Sequence, residues 1–144
     1  MNTDNFSNRS KVKVTQKEHN FLSQNEVCRV STSHNDIPHV VPVTYVYENE
    51  NIIFVTDYGT RKYKNLKINK NISVVVDVYD LSGRNMGIVI QGKAVFIERG
   101  EEFKRLYQIF NRKFEWVRKE PWEEGEAPFV KIDAFNKVSW GLLK

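Results

Sequence analysis

The sequence predicts a mainly β (α+β) protein, an antiparallel, partly open barrel of six or seven strands with flanking helices. Three observations carry this expectation. Short runs rich in β-branched and aromatic residues recur from residue 26 onward, and most are separated by polar turns of only a few residues. Such turns suit hairpins, because parallel neighbours need long crossovers. Helical signals are confined to segments near residues 15–24, 61–69 and 101–119. An apolar share of 40% with 12% aromatics can supply a core, and 144 residues make one domain.

Residues 1–14 are polar and are expected to form a loose lead-in to a domain spanning 15–144. Thr15-Gln16-Lys17-Glu18 has the spacing of a capping box and starts a short helix to about Gln24, with Phe21 and Leu22 facing inward. Glu26–Ser33 and Ile37–Tyr47 read as strands around the polar turn His34-Asn35-Asp36, and Pro42 requires an edge or a bulge. Ile52–Thr56 is the third strand. Tyr63 and Leu66 lie at helical spacing in Arg61–Asn69. The three consecutive valines of Ile72–Tyr79 predict a strand buried on both faces, and Gly87–Glu98 reads as a strand broken by Gly92. Phe103, Leu106, Tyr107 and Phe110 form an apolar stripe on a helix from Glu101 to about Lys119. Trp116 and Trp122 near its end are expected in the core or an interface. An acidic, solvated loop follows, and Pro128–Ile132 and Lys137–Leu142 end the chain as two strands.

Several function classes are excluded or disfavoured. No stretch approaches the roughly 18 apolar residues of a membrane helix, and the N-terminus lacks a signal-peptide core, so no membrane partner is expected. Cys28 is the single cysteine, which rules out an internal disulfide and fits a reducing, cytoplasmic setting. It reads as a small buried side chain. The three histidines have no metal-ligand spacing, so no metal is expected. No nucleophile–base arrangement is legible, and no catalytic residue is nominated. The net charge of +4 suits a phosphorylated small ligand as well as nucleic acid.

The sharpest local feature is Phe54-Val55-Thr56-Asp57-Tyr58-Gly59-Thr60-Arg61-Lys62. A strand ends at Thr56, a turn follows, and a helix opens with Thr60 as its cap and two cations in its first turn. Cations there oppose the helix dipole. A bound phosphate would remove the conflict by accepting from free helix amides, a threonine hydroxyl and the Arg61 fork. The competing reading is a solvated basic helix, since Lys64, Lys67 and Lys70 continue the charge.

The stretch FVTDYGTRKYKNLKINKNISVVV resembles the central segment of the pyridoxamine-phosphate-oxidase-like FMN-binding split β-barrels. Arg29–Thr32 with Ile37–Val43, then Gly87–Ala94, and more weakly Val138-Ser139-Trp140-Gly141, are similar to that family in the same order. The resemblance implies that Thr56, Arg61 and Lys62 bind the flavin phosphate and that Val41, Pro42 and Val43 line the isoalloxazine ring. It also implies a homodimer with the flavin between subunits, completed by Trp140 of the second copy. Independently, a barrel this small fills its own interior, so a tricyclic ring must lie outside it.

The resemblance stops at the substrate residues. Counting back from Thr56, the arginine and lysine that the vitamin B6 oxidases place on the second strand fall here on Val40 and Tyr45, and an oxidase glutamine falls on Gly87. The arginine-rich C-terminal substrate signature is absent as well. The expected function is therefore an FMN-dependent oxidoreductase exchanging hydride or electrons with a small molecule other than pyridoxamine phosphate. The alternatives are a related barrel binding F420, for whose acidic tail Lys64 and Lys67 would be suited, or haem, with His39 the one nominee for an axial ligand. A flavin carrier or sensor without turnover is a further possibility. A single-stranded nucleic-acid module using Tyr45, Tyr47, Tyr58 and Tyr63 is disfavoured, because acidic residues are nearly as numerous as basic ones.

Overall fold

The computed structural model describes residues 12–142. The expected lead-in lies largely outside them. Helix α1 (Gln16–Gln24) starts from a complete capping box, in which the Thr15 side chain accepts from Glu18 N and Glu18 accepts from Thr15 N. Strands β1 (Val27–His34) and β2 (Ile37–Thr44) form a hairpin through Asn35 and Asp36, both at positive φ, the backbone a tight two-residue turn requires. The same geometry at Asn49 and Glu50 joins β3 (Val46–Glu48) to β4 (Asn51–Val55). Helix α2 (Arg61–Ile68) then leads into β5 (Asn71–Tyr79) and β6 (Asn85–Ile97). Helices α3 (Gly100–Lys113) and α4 (Glu115–Lys119) precede the last strand, β7 (Phe129–Trp140).

All seven strands join one antiparallel sheet in the order β2-β1-β5-β6-β7-β4-β3. The sheet curls until β2 also approaches β4, which makes it a split barrel. Pro42 sits on the edge strand β2, where its missing N–H costs no ladder bond. No helix among the described residues is long and apolar enough to cross a membrane.

The concave face is filled. Tyr45, Ile52, Phe54, Val74, Val76, Ile88, Val130 and Ile132 pack together, closed at one end by Phe21 and Leu22 of α1 and flanked by Leu66 of α2. Cys28 lies in this core, and burial pushes its thiol up to about 12. A second cluster forms outside the barrel, where Phe103, Leu106 and Phe110 of α3 meet Ile53, Ile97 and Phe129.

Five sequence expectations are corrected by tertiary packing. The valine run of β5 is not buried on both faces. Val74 and Val76 are each 1% exposed, while Val75 stands on the convex face with Ser73 and Asp77, because at β5 no described helix covers that outer face. The strand expected over Ile37–Tyr47 divides at Tyr45, whose N–H donates to Glu26 O and whose buried hydroxyl donates to Leu22 O at 2.7 Å. Strand β6 is not broken at Gly92, nor is β7 two strands. Gln91 pairs with Asn136 and Gly92 with Ala134, so Phe135 is the extra residue of a bulge in one long strand. A Cβ on Gly92 would lie 2.4 Å from Asp133 O, which excludes any other residue there without backbone movement. The late helix divides at Phe114, held extended because its ring is buried in the outer cluster.

Glu18 ties the start of the chain to its end. Its carboxylate accepts from Lys137, from Ser139 Oγ at 2.6 Å and from Thr15 N at 2.9 Å, at 4% exposure. Burial alone would raise its pKa, but these hydrogen bonds outweigh that and hold it at about 2. A folded pKa below the unfolded value of 4.5 gives stability that is fully present above pH 4.5 and is lost as pH falls toward 2. Glu18→Gln should cost about 1–3 kcal/mol at neutral pH in urea unfolding and flatten the acid-side decline between those pH values.

Candidate functional site

The β4–α2 connection is built by two threonines. The hydroxyls of Thr56, which is buried, and Thr60 are 2.8 Å apart. Thr60 Oγ1 also donates to Asp57 O and accepts from Tyr63 N, capping α2. The first turn holds no acidic residue, only Arg61 and Lys62. The other side of the helix is anchored. Asn65 Nδ2 donates to Thr32 Oγ1 of β1 at 3.0 Å with both residues buried, and Tyr63 packs between Tyr58 and Phe96. Lys70 closes the far end by donating to Leu66 O and Lys67 O. The helix start is thus rigidly presented, with its first amides free of intrahelical partners.

A cavity of about 340 Å³ opens at this start, lined by Val55, Thr56, Asp57, Thr60 and Lys62, with Trp116, Glu120, Trp122, Glu126 and Ala127 on its far side. Burial pushes the Lys62 ammonium below the usual lysine range, opposed by the Asp57 carboxylate. Thr56 and Lys62 therefore share one site, and Arg61 sits beside them, exposed.

The other nominated residues lie elsewhere in the protomer. Val41 and Val43 are half-buried on the inner side of β2, and Pro42 is exposed on the convex face beside Arg29. That face carries an in-register row Pro42–Arg29–Val75–Val89–Val138 across five strands. Val40 and Val138 on it are 64% and 59% exposed. Trp140 lines a different cavity of about 500 Å³, with Thr15–Glu18 and Leu142. Its indole N–H donates to Asn85 Oδ1 at 2.8 Å, and its ring fills the space where a Gly87 side chain would stand, 2.7 Å from that Cβ position. Tyr45 is a core residue with its hydroxyl bonded inside the fold. His39 Nδ1 is buried and has no hydrogen-bond partner among the described residues. No group of three or more His, Cys, Asp or Glu is placed to hold a metal among them.

Sequence reasoning did not assign Asp57, Trp116, Glu120, Trp122 and Glu126 to this site. Trp122 does pack on the outer core, edge-on to Tyr107 and tilted against Phe129, but the loop it begins returns to the α2 start. Some 60 residues separate the two walls, and no local pattern links them.

A split barrel with an open, cation-bearing helix start outside its core defines the class. The family model described as pyridoxamine 5'-phosphate oxidase matches residues 14–134, and the chain belongs to that family. Among solved structures, a conserved hypothetical protein from Mycobacterium tuberculosis is similar at 18% identity and TM-score 0.74, covering 92% of this chain and 88% of that one. A FAD-binding protein from Mesorhizobium loti follows at 19% identity and TM-score 0.71, covering 88% and 94%. A haem storage protein from Vibrio cholerae has 14% identity and TM-score 0.72, also covering 88% and 94%. At these identities the likeness is one of fold. No curated protein sequence matches.

Gly87 is a sharp point of test. Gly87→Ala places a methyl against both the Trp140 ring and Val76 O. It should destabilise by about 1–3 kcal/mol in urea unfolding and shift Trp140 fluorescence, measured with Trp116 and Trp122 replaced by Phe.

Proposed function

We propose that this protein binds a flavin mononucleotide moiety as a homodimer and serves hydride or electron transfer with a small molecule. One observation carries the reading: two cations and two hydroxyls at an anchored helix start with no acidic residue in its first turn. Lys62 is half-buried there, and a desolvated ammonium gains most from an anion beside it. These residues fit a single phosphate. Lys62 would pair with it, Arg61 would fork onto it and the first helix amides would donate to it, with the Thr56 hydroxyl turning from Thr60 to donate as well.

The bound flavin would supply the redox chemistry. The chain's own part is binding, orientation and water exclusion, and no side chain is assigned as acid or base. Pro42, with the backbone of Val41 and Val43, would line the ring, and Trp140 would reach it from the second copy, since in its own protomer it belongs to another cavity. The exposed valines of the convex face, Val27, Val40 and Val138, support dimerisation through that face. Pyridoxamine phosphate is not the substrate in this reading. Val40 offers no charge, Tyr45 is sealed in the core, and Gly87 is committed to Trp140. The carboxylates Asp57, Glu120 and Glu126 around the phosphate site disfavour the acidic tail of F420. The buried free Cys28 is compatible with a cytoplasmic setting.

The visible spectrum of the purified protein and the mass of the chromophore released by heat test the reading. A flavin mass supports it. A haem or F420 mass overturns the cofactor, and a colourless protein that takes up no added FMN overturns the proposal. Arg61→Ala and Lys62→Ala should each weaken FMN binding about ten- to hundred-fold in fluorescence titration, the loss of one charge-assisted bond. Trp140→Ala should lower flavin affinity while sedimentation still reports a dimer.

A further inference from the structure

The far wall of the cavity at the α2 start, from α4 and the loop after it, has a chemistry that the phosphate reading leaves unused. Trp116 and Trp122 lie parallel there, with ring centroids 6.0 Å apart and planes within 4°. Trp122 is fixed, since it is half-buried and its indole N–H donates to Ala127 O at 3.2 Å. Phe114 also stacks on Trp116, with ring centroids 6.0 Å apart. Trp116 is thus held in place, yet it remains 38% exposed and leaves an apolar surface open on the cavity wall.

The charge of the cavity is unbalanced. Among the described residues that line it, Lys62 is the one cation, against Asp57 beside the helix start and Glu120 and Glu126 on the far wall. None of the three carboxylates has an ion-pair partner among the described residues. The cations of α4 are committed elsewhere. Lys119 pairs with Glu115, and Arg118 donates to Asn111 O and Arg112 O. Glu126 accepts from Glu123 N with one oxygen at 2.8 Å and keeps the other for a ligand. A phosphate that engages Lys62 and Arg61 would leave these carboxylates with no counter-charge at all. Carboxylates on two walls select a ligand with more than one cationic centre, and their oxygens select N–H donors. The indole between them selects an aliphatic stem, because methylenes lie along apolar surface while charged ends stay in polar surroundings. A metal ion is not the fit, since no group of three or more His, Cys, Asp or Glu is placed to hold one among the described residues. The cavity of about 340 Å³ is within the size range of small-molecule sites.

We propose that this cavity binds an aliphatic diamine or polyamine, with its methylene chain on Trp116 and its ammonium groups on Glu120, Glu126 and Asp57. The site goes beyond the flavin reading and does not depend on which anion the near wall holds. The amine and a phosphate bring opposite charges to neighbouring walls, so each should strengthen the binding of the other, and linkage makes the effect reciprocal.

The test is calorimetric titration of the full-length protein, at fixed ionic strength, with terminal diaminobutane, butylamine and terminal butanediol. The diamine should bind at least about tenfold more tightly than the diol, which has the same chain and no charge, with the monoamine between them. Trp116→Ala should weaken the diamine several-fold through the lost stem and ring contact. Glu120→Gln with Glu126→Gln should erase the preference for diamine over monoamine. The substituted side chains are exposed, and circular dichroism establishes that the variants are folded. The wild-type ratio of diamine to diol is decisive without any variant. Equal affinities for the two overturn the site, and so does diamine binding that neither variant changes. Magnesium ion bound as tightly as the diamine also overturns it, because a counter-ion cluster needs no indole. A colourless protein that binds the diamine loses the flavin reading and keeps this one, and a flavin-loaded protein that binds no diamine does the reverse.

Discussion

The interior of the curled sheet is full, and the rest of the molecule follows from that. Tyr45, Phe54, Ile52, Leu66 and Ile132 are at most 2% exposed and leave no void for a ring system. A barrel of this size is a packed core, not a container. Any ligand must be held on the outside, by backbone and side chains at strand ends and by whatever second surface covers it. The α2 start is such a place. It is fixed by buried hydrogen bonds on one side, and its amides and cations face outward on the other.

The same constraint explains the second core. A sheet whose inner face is filled still has apolar residues on the outside, at Ile53, Ile97 and Phe129, and α3 covers them. The loop that returns from α4 to β7 then crosses the α2 start and walls the cavity there. Packing of one apolar patch thus creates a pocket whose polar groups lie far apart in the chain. The remaining convex face, with its row of valines, is left uncovered by the described residues.

The order of elements was legible because it rests on short-range rules. Turn residues able to adopt positive φ separate the first strands, a capping box starts α1, and threonine caps α2. Breaks were misread wherever a distant contact set them. Phe114 ends α3 with no proline or glycine as a signal, because its ring is drawn into the outer cluster. Asp133–Asn136 look like a turn and are instead a bulge held open by the close approach of Gly92. Tyr45 ends β2 to reach α1.

By itself the sequence determined the antiparallel class, that Pro42 stands at an edge or a bulge, the buried cysteine and the charged helix start at Thr60-Arg61-Lys62, since each follows from local propensity or side-chain chemistry. Tertiary structure alone decided which face of β5 is open, that Trp140 and Thr56 belong to different cavities of one protomer, and that two tryptophans and three carboxylates line one cavity with Lys62. Those are matters of sheet curvature and register. Burial of one face brings together residues that no spacing along the chain relates.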